Sequence, residues 1–463
     1  MDTLKNASFP PKMVGPELFQ LALPPSCIEF CPAHPDYFLV GTYNLQEGGK
    51  DYTGTGNVTS GEEKSPGSAE VKEESDDEQQ SMPAKEQSRN GSLILFRRQD
   101  NQIKLVQTLP TPSAILDLHF HPSPQFGSHF GAVSSTGTFI MGRIDPPGDQ
   151  DGPDRPAIWI QAYSIIPEVG QDVIFTSFIW LPDMVNGAAI TTTTGQVWIV
   201  VLDSGSRIRA AQQLPLCSKM ETWCVAIAPA DPKTGNSMIY SGGDDGILRS
   251  TSLKMLPETL FPREGEEPVP TIKSGDTEEA TDTPLWERSF KDGPHTIVDC
   301  YPTQQLFKNA HTAGVTAVLP LPPCQRGLEL IITGSYDERV RVFLVKDPRL
   351  HAWGPVSTFE ASVAGGVWKL HLVRWHAGPP QGNVRAITVV VLASCMHAGP
   401  KILKFDIFGS RVKMDVIHEF PGHTLNYASH FRKRDGGWID FVTTSFYDKK
   451  LYWWERWEQD EGQ

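Results

Sequence analysis

The chain contains no run of about 18 uncharged apolar residues, the length that a membrane-crossing helix needs. Met1 to Pro10 holds no apolar core of signal-peptide length. A soluble, unexported, cytoplasmic protein is therefore expected. Cysteine is scarce and odd in number, seven in 463 residues, which argues against a disulfide framework and for reduced thiols. The nearest pair, Cys27 and Cys31, has no second Cys or His pair close by, so no structural zinc is expected. The sequons at Asn6, Asn57 and Asn90 would matter only in a secreted protein.

Basic residues are also short. Lys and Arg number 41 against 55 Asp and Glu, for a net charge of −14. Residues 51–90 carry −6 of this and residues 254–290 carry −5, leaving −3 for the rest. Nothing forms the clustered basic face of a nucleic-acid binder or a polybasic membrane anchor, so both partner classes are excluded. The chain also lacks the G-x-S-x-G elbow of α/β-hydrolases, a phosphate-binding loop and an EF-hand. HEFPGH at 418–423 misses the H-E-x-x-H zinc motif by one position, and its Pro-Gly would break the helix that motif requires. No cofactor and no metal are expected.

What is present is a repeat. A short apolar run, a small-residue turn and a second apolar run recur as IYSGGDDGILRS (239–250), IITGSYDERVRVF (331–343) and FVTTSFYDKKLYWW (441–454). These align without gaps through Asp245, Asp337 and Asp448. VLASCMHAGPKIL (391–403) places His397 where the others have Asp, and AAITTTTGQVWIVVL (188–202), GAVSSTGTFIMG (131–142) and FLVGTYNL (38–45) are weaker copies. Each is preceded by a further strand candidate, such as CIEF, ILDLHF, TWCVAI or GVTAVL. The two acidic windows, 48–90 within the first blade and 254–290 between two blades, have too little apolar surface to offset the entropy of ordering and are expected to be disordered insertions. Without them each unit has about 55 residues, more than the ~40–45 of a four-stranded propeller blade. Period-two alternation, dense turns and fixed spacing predict an all-β, seven-bladed β-propeller of WD-repeat type spanning residues 1–463. The repeated Asp residues are read as turn anchors, with His311 as the imidazole partner of Asp337.

The unit running from HTAGVTAV to GSYDERVRVF resembles a WD repeat without its Trp-Asp dipeptide. In order, SCIEFCP with GTYNL, ETW with YSGGDDG, TGSYDE, AGGVWKL, ASCMHAGPKIL and GHTLNYAS with TSFYDKKLYWWE closely resemble the WD-repeat diphthine methylesterases, the diphthamide biosynthesis protein seven family. That resemblance implies an ester hydrolase. It would remove the methyl ester from methylated diphthine, the modified histidine of translation elongation factor 2, which would be its protein partner; a monomer is expected. A non-catalytic adaptor that docks the elongation factor or another protein is the alternative, because fold does not imply function.

Ester hydrolysis needs an activated nucleophile or water and donors for an oxyanion. Cys395 and His397, two apart on an expected strand, are one candidate pair, against a buried small hydrophobe and a turn cap. His423 with Ser445 and Tyr447 forms a second set. Quaternary ammonium ions are held by aromatic faces and carboxylates. Trp223 and Trp368 occupy equivalent places in their units, Tyr427 aligns with both, and Glu221 precedes one of them. These four are the expected trimethylammonium site, against simple packing between blades.

Overall fold

The computed structural model describes residues 13–46, 88–99, 102–148, 155–170, 172–182, 184–231, 234–255, 297–300, 305–322, 328–346, 356–379 and 385–457. Seven antiparallel sheets follow one another around a ring. Blade 1 holds the strands Pro25–Phe30, Tyr37–Thr42 and Ser88–Gln99, with Gln102–Thr111 outermost and the short Asn44–Gln46 alongside. Blade 2 runs Ile115–Phe120, His129–Ser134, Phe139–Ile144 and Ile158–Ser164. Blade 3 is Phe175–Trp180, Gly187–Thr192, Val197–Leu202 and Ile208–Gln213. Blade 4 is Thr222–Ile227, Asn236–Gly243 and Leu248–Met255, with Val298–Cys300 and Gln305–Phe307 at its outer edge. Blade 5 is Val315–Pro320, Leu328–Ser335, Arg339–Lys346 and Val356–Ser362, and blade 6 is Lys369–Ala377, Ala386–Ser394, Pro400–Phe408 and Arg411–Glu419. Blade 7 takes Ser429–Lys433, Trp438–Ser445 and Lys450–Trp457 from one end of the chain and its outer strand, Met13–Gln20, from the other.

The seven repeats are therefore seven blades, and each quoted run spans the second and third strands of its blade except FLVGTYNL, which covers the second strand of blade 1 and the short Asn44–Gln46. Each first strand touches the first strands of both neighbouring blades, so the seven close a ring around a central channel. The two faces of every blade are buried against the next one. Among the described residues the apolar core divides into seven clusters, one in each seam between consecutive blades. Runs such as Ile387–Ala393, β-branched and buried on both faces, suit that position. Close seams need small residues: a Cβ added at Gly242 or Gly334, near the ends of the second strands, would overlap Val315 or Val367 at the next blade's first strand.

Two expectations change. The acidic windows begin and end a little differently, since Ser88–Asn90 and Lys254–Met255 are strand residues, and the second window falls between two strands of blade 4, Leu248–Met255 and Val298–Cys300, rather than between two blades; the remainder of both windows lies outside the described residues. The gapless alignment also fails in blade 7. Thr333 pairs with Arg341 across the blade 5 turn and Thr443 with Tyr452 across the blade 7 turn, so Asp448 sits in a turn one residue longer.

Candidate functional site

The first strands line the channel, and most carry a β-bulge near their start. Residues just after the bulge, Cys27, Asp117, Ser177 and Cys224, form one tier with Lys369. Two residues further on, and so on the same strand face, Glu29, His119, His371 and His430 form a second. Apolar strands that place charge at this spacing leave those charges facing one another rather than water.

Asp117 is the hub. Both its oxygens accept from Lys369 Nζ at 2.9 Å, across the channel from blade 2 to blade 6. Ser177 Oγ donates to it at 2.7 Å, and His119 Nε2 lies 3.4 Å away. His119 Nδ1 meets Glu29 of blade 1 at 2.7 Å, so this imidazole is held between two carboxylates. Burial alone would raise the Asp117 carboxyl, but the Lys369 ammonium and His119 outweigh it and hold it far below the usual carboxylate range. Burial opposes charge on His119 too, yet Asp117 and Glu29 raise it to about 9. His371 is the opposite case. Burial, with His430 and Lys369 adding to it, keeps its imidazole neutral, well below the ordinary value. His430 Nδ1 accepts from Phe30 N at 3.3 Å and is also pushed down, chiefly by burial. Glu29, Asp117, His119, Lys369, His371 and Tyr427 border a cavity of about 10 Å3, room for about one water. A wider groove of about 240 Å3 at the edge of blade 6, between Ile387, Asp406 and Arg411, shares no residue with the channel.

At the end of the channel where the second-to-third-strand turns lie, aromatic rings gather. Trp368 is the centre: its ring lies 5.8 Å from Trp223, 5.9 Å from Tyr336 and 5.1 Å from Tyr427, all inclined by 45–62°. All four are partly exposed. Trp223 Nε1 donates to Asp244 Oδ1 at 2.7 Å, and the Asp244 amide bonds the Glu221 carbonyl. Burial raises the Asp244 carboxyl, with the Trp223 N–H opposing. The three aromatic positions expected from sequence are thus brought together, with Glu221 one step behind Asp244. Tyr336 and Asp244 belong to the same group, beyond the residues that the repeat alignment marks; both sit in the repeated turn, next to its anchors Asp337 and Asp245.

The Cys395–His397 pair does not form on a strand. The second strand of blade 6 ends at Ser394, and Cys395 to Gly399 make a turn closed by Ala398 N to Cys395 O and Cys395 N to Gly399 O. Alternation therefore does not apply. Cys395 is wholly buried in the seam between blades 5 and 6, which pushes its thiol to about 12, while the His397 side chain is 58 % exposed and 3.5 Å from Glu338. In the second set His423 Nε2 bonds Thr443 Oγ1 at 2.9 Å, and Trp454 Nε1 donates to the same oxygen at 3.1 Å. Burial lowers His423 to about 4. Ser445 Oγ donates to Asp448 at 2.7 Å, and Tyr447 is 71 % exposed.

The turn anchors also need one correction. Asp337 does not take His311: it pairs with both terminal nitrogens of Arg341 and accepts from Thr312 N at 3.0 Å. His311 Nε2 bonds Thr333 Oγ1 at 2.9 Å, and burial lowers it to about 4. A guanidinium four residues along the hairpin offers the carboxylate two charged donors, a stronger partner than a neutral imidazole. Asp245 repeats the arrangement with Arg249 and Ser218, and Asp448 substitutes Ser445 and Thr424. In all three, the carboxylate ties the turn to the segment leading into a first strand.

Three comparisons with known proteins bear on this arrangement. No protein-family model matches the chain. Over 185 residues, 40 % of the chain, it is 24 % identical to human diphthine methyltransferase, and the match spans about a quarter of that protein, 26 %. The fold is similar to that of Saccharomyces cerevisiae Sqt1, with TM-score 0.46 and 12 % identity over 95 % of this chain and 98 % of the other. Chaetomium thermophilum Sqt1 bound to the N-terminus of ribosomal protein L10 gives 0.49 and 12 % over 94 % and 97 %. No helix among the described residues is long and apolar enough to cross a membrane. The geometry establishes a seven-bladed β-propeller, and part of the sequence has a distant likeness to a protein named for diphthine chemistry.

Proposed function

We propose that this chain is a diphthine methyl ester hydrolase that acts on methylated diphthine of translation elongation factor 2. The observation that carries the reading is the aromatic group at the channel mouth, Trp223, Tyr336, Trp368 and Tyr427 with Asp244 beside it. Partly exposed indole and phenol faces next to a carboxylate suit a trimethylammonium group. In methylated diphthine the carbon bearing that group also bears the ester, so a cation seated at the mouth directs the ester toward Lys369 and the channel. The distant likeness to human diphthine methyltransferase supports the same substrate class.

The test is intact-mass analysis of elongation factor 2 carrying methylated diphthine, incubated with the purified protein alone. Loss of one methylene mass is expected. It is expected to persist with Cys395→Ala and His397→Ala; loss of activity in folded forms of these would move the chemistry to the blade 6 turn. Trp223→Ala and Trp368→Ala should raise KM in folded protein, and variants that unfold instead would make the rings packing residues.

One observation favours the adaptor reading. Asp117 is fully bonded, and its pairing with Lys369 closes the channel as a structural plug would. Binding of the elongation factor with no mass change would support that reading.

A further inference from the structure

Two histidines, His119 and His371, border the channel cavity, a third, His430, packs beside His371, and two of the three are committed. His119 has both ring nitrogens engaged, by Glu29 and Asp117, and His430 accepts from a backbone N–H through Nδ1. His371 makes only a ring contact with His430, at 5.0 Å between centroids, and neither of its nitrogens is hydrogen-bonded among the described residues. It borders the same water-sized cavity as Lys369, two residues before it on the same strand face. An imidazole with a lone pair unengaged, beside an ammonium and room for one water, has the parts of a general base with an oxyanion partner.

We infer that His371 is the general base of the proposed ester hydrolysis, acting on a water in this cavity, and that the Lys369 ammonium receives the oxyanion. The inference rests on the methylesterase reading given above. His371 takes a proton from the water as its oxygen bonds to the ester carbonyl carbon. The carbonyl π pair moves onto oxygen, next to Lys369. Collapse re-forms the C=O and breaks the bond to the methoxy oxygen, which takes the proton back from the imidazolium and leaves as methanol. The carboxylic acid then loses its proton to solvent. Water is the only co-reactant.

The groups facing His371 set its pH behaviour. They are Cys27 and Glu29 of blade 1, Asp117 and His119 of blade 2, Lys369 on its own strand and His430 of blade 7. Because it stays neutral, the base remains competent below the pH at which an ordinary histidine is lost.

The experiment compares wild type with His371→Gln in single turnover on methylated elongation factor 2, with affinity for the factor and thermal midpoint measured alongside. A rate lower by about 100-fold or more at unchanged affinity is expected. A folded variant within about threefold of wild type overturns the inference while leaving the esterase reading standing. An inactive wild type overturns both. If the variant fails to fold, wild type in D2O decides. A single-turnover rate reduced about twofold supports proton transfer in the step, and an unchanged rate overturns it.

Discussion

The mouth and the floor of one channel draw on residues adjacent in sequence, such as Trp368 and Lys369, yet they differ in kind. At the mouth, Trp368 meets three other rings edge and face, each partly exposed, with one carboxylate attached through Trp223. One residue deeper, Lys369 is locked to Asp117, whose side chain is 2 % exposed. Ring contacts are non-directional and tolerate a guest between them. Buried ion pairs are directional, and removal of one partner is costly. The contrast teaches that a propeller can hold a recognition surface and a closure in adjacent tiers of one channel, because successive residues along the chain there point to different sides.

The sharpest way to break that contrast is Lys369→Met. It removes the cross-channel cation and leaves Asp117 buried with only His119 to balance it. A loss of about 3–5 kcal/mol in chemical denaturation is expected, against much smaller losses at the mouth.

Next is pH. His119 lies at about 9 in the fold against its ordinary 6.5, so the stability it contributes is full below pH 6.5 and is lost as pH rises toward 9. His311 and His423 lie at about 4, so the unfolded chain takes up protons first on acidification and stability falls between pH 6.5 and 4. The thermal midpoint should therefore peak near pH 6.5, and His119→Gln should flatten the alkaline side alone. A midpoint still rising at pH 8.5 would contradict this.

A third comparison sets blade 7 against blade 5. Thr443→Val strands both the Trp454 N–H and His423, for about 2 kcal/mol, whereas Thr333→Val strands His311 alone, for about 1 kcal/mol. Equal losses in urea would show that the Trp454 bond contributes nothing. The smallest effect is expected at the mouth, where Trp223→Phe removes only the bond to Asp244, for about 1 kcal/mol or less. Its larger signature should be weaker binding of tetramethylammonium, read by fluorescence of the remaining tryptophans.

The seven blades were legible because each repeat carries its own strand alternation and turn within about fifteen residues, as in IITGSYDERVRVF. The grouping of Trp223, Trp368 and Tyr427 was legible for the same reason, as equivalent positions in three of the repeats. The channel floor was not. Asp117 and Lys369 are 252 residues apart in sequence, and no local pattern pairs them. A signal did exist, since ILDLHF and WKLHL set charged residues two apart inside otherwise apolar inner strands. The choice of Arg341 over His311 as partner of Asp337 was equally hidden, because it depends on which side chain crosses a hairpin rather than on spacing.

The strand Met13–Gln20 lies against Lys450–Trp457, which has a consequence for the protein's synthesis. A ribosome adding about 5–20 residues per second needs roughly 20–90 s to travel from Gln20 to Lys450. For that interval the strand is an unpaired edge, displaying Val14 and Leu18 with their backbone donors and acceptors free to template on another chain. The ring can close only when its last blade leaves the ribosome, so assembly of this protein depends on how this strand is kept from finding the wrong partner first.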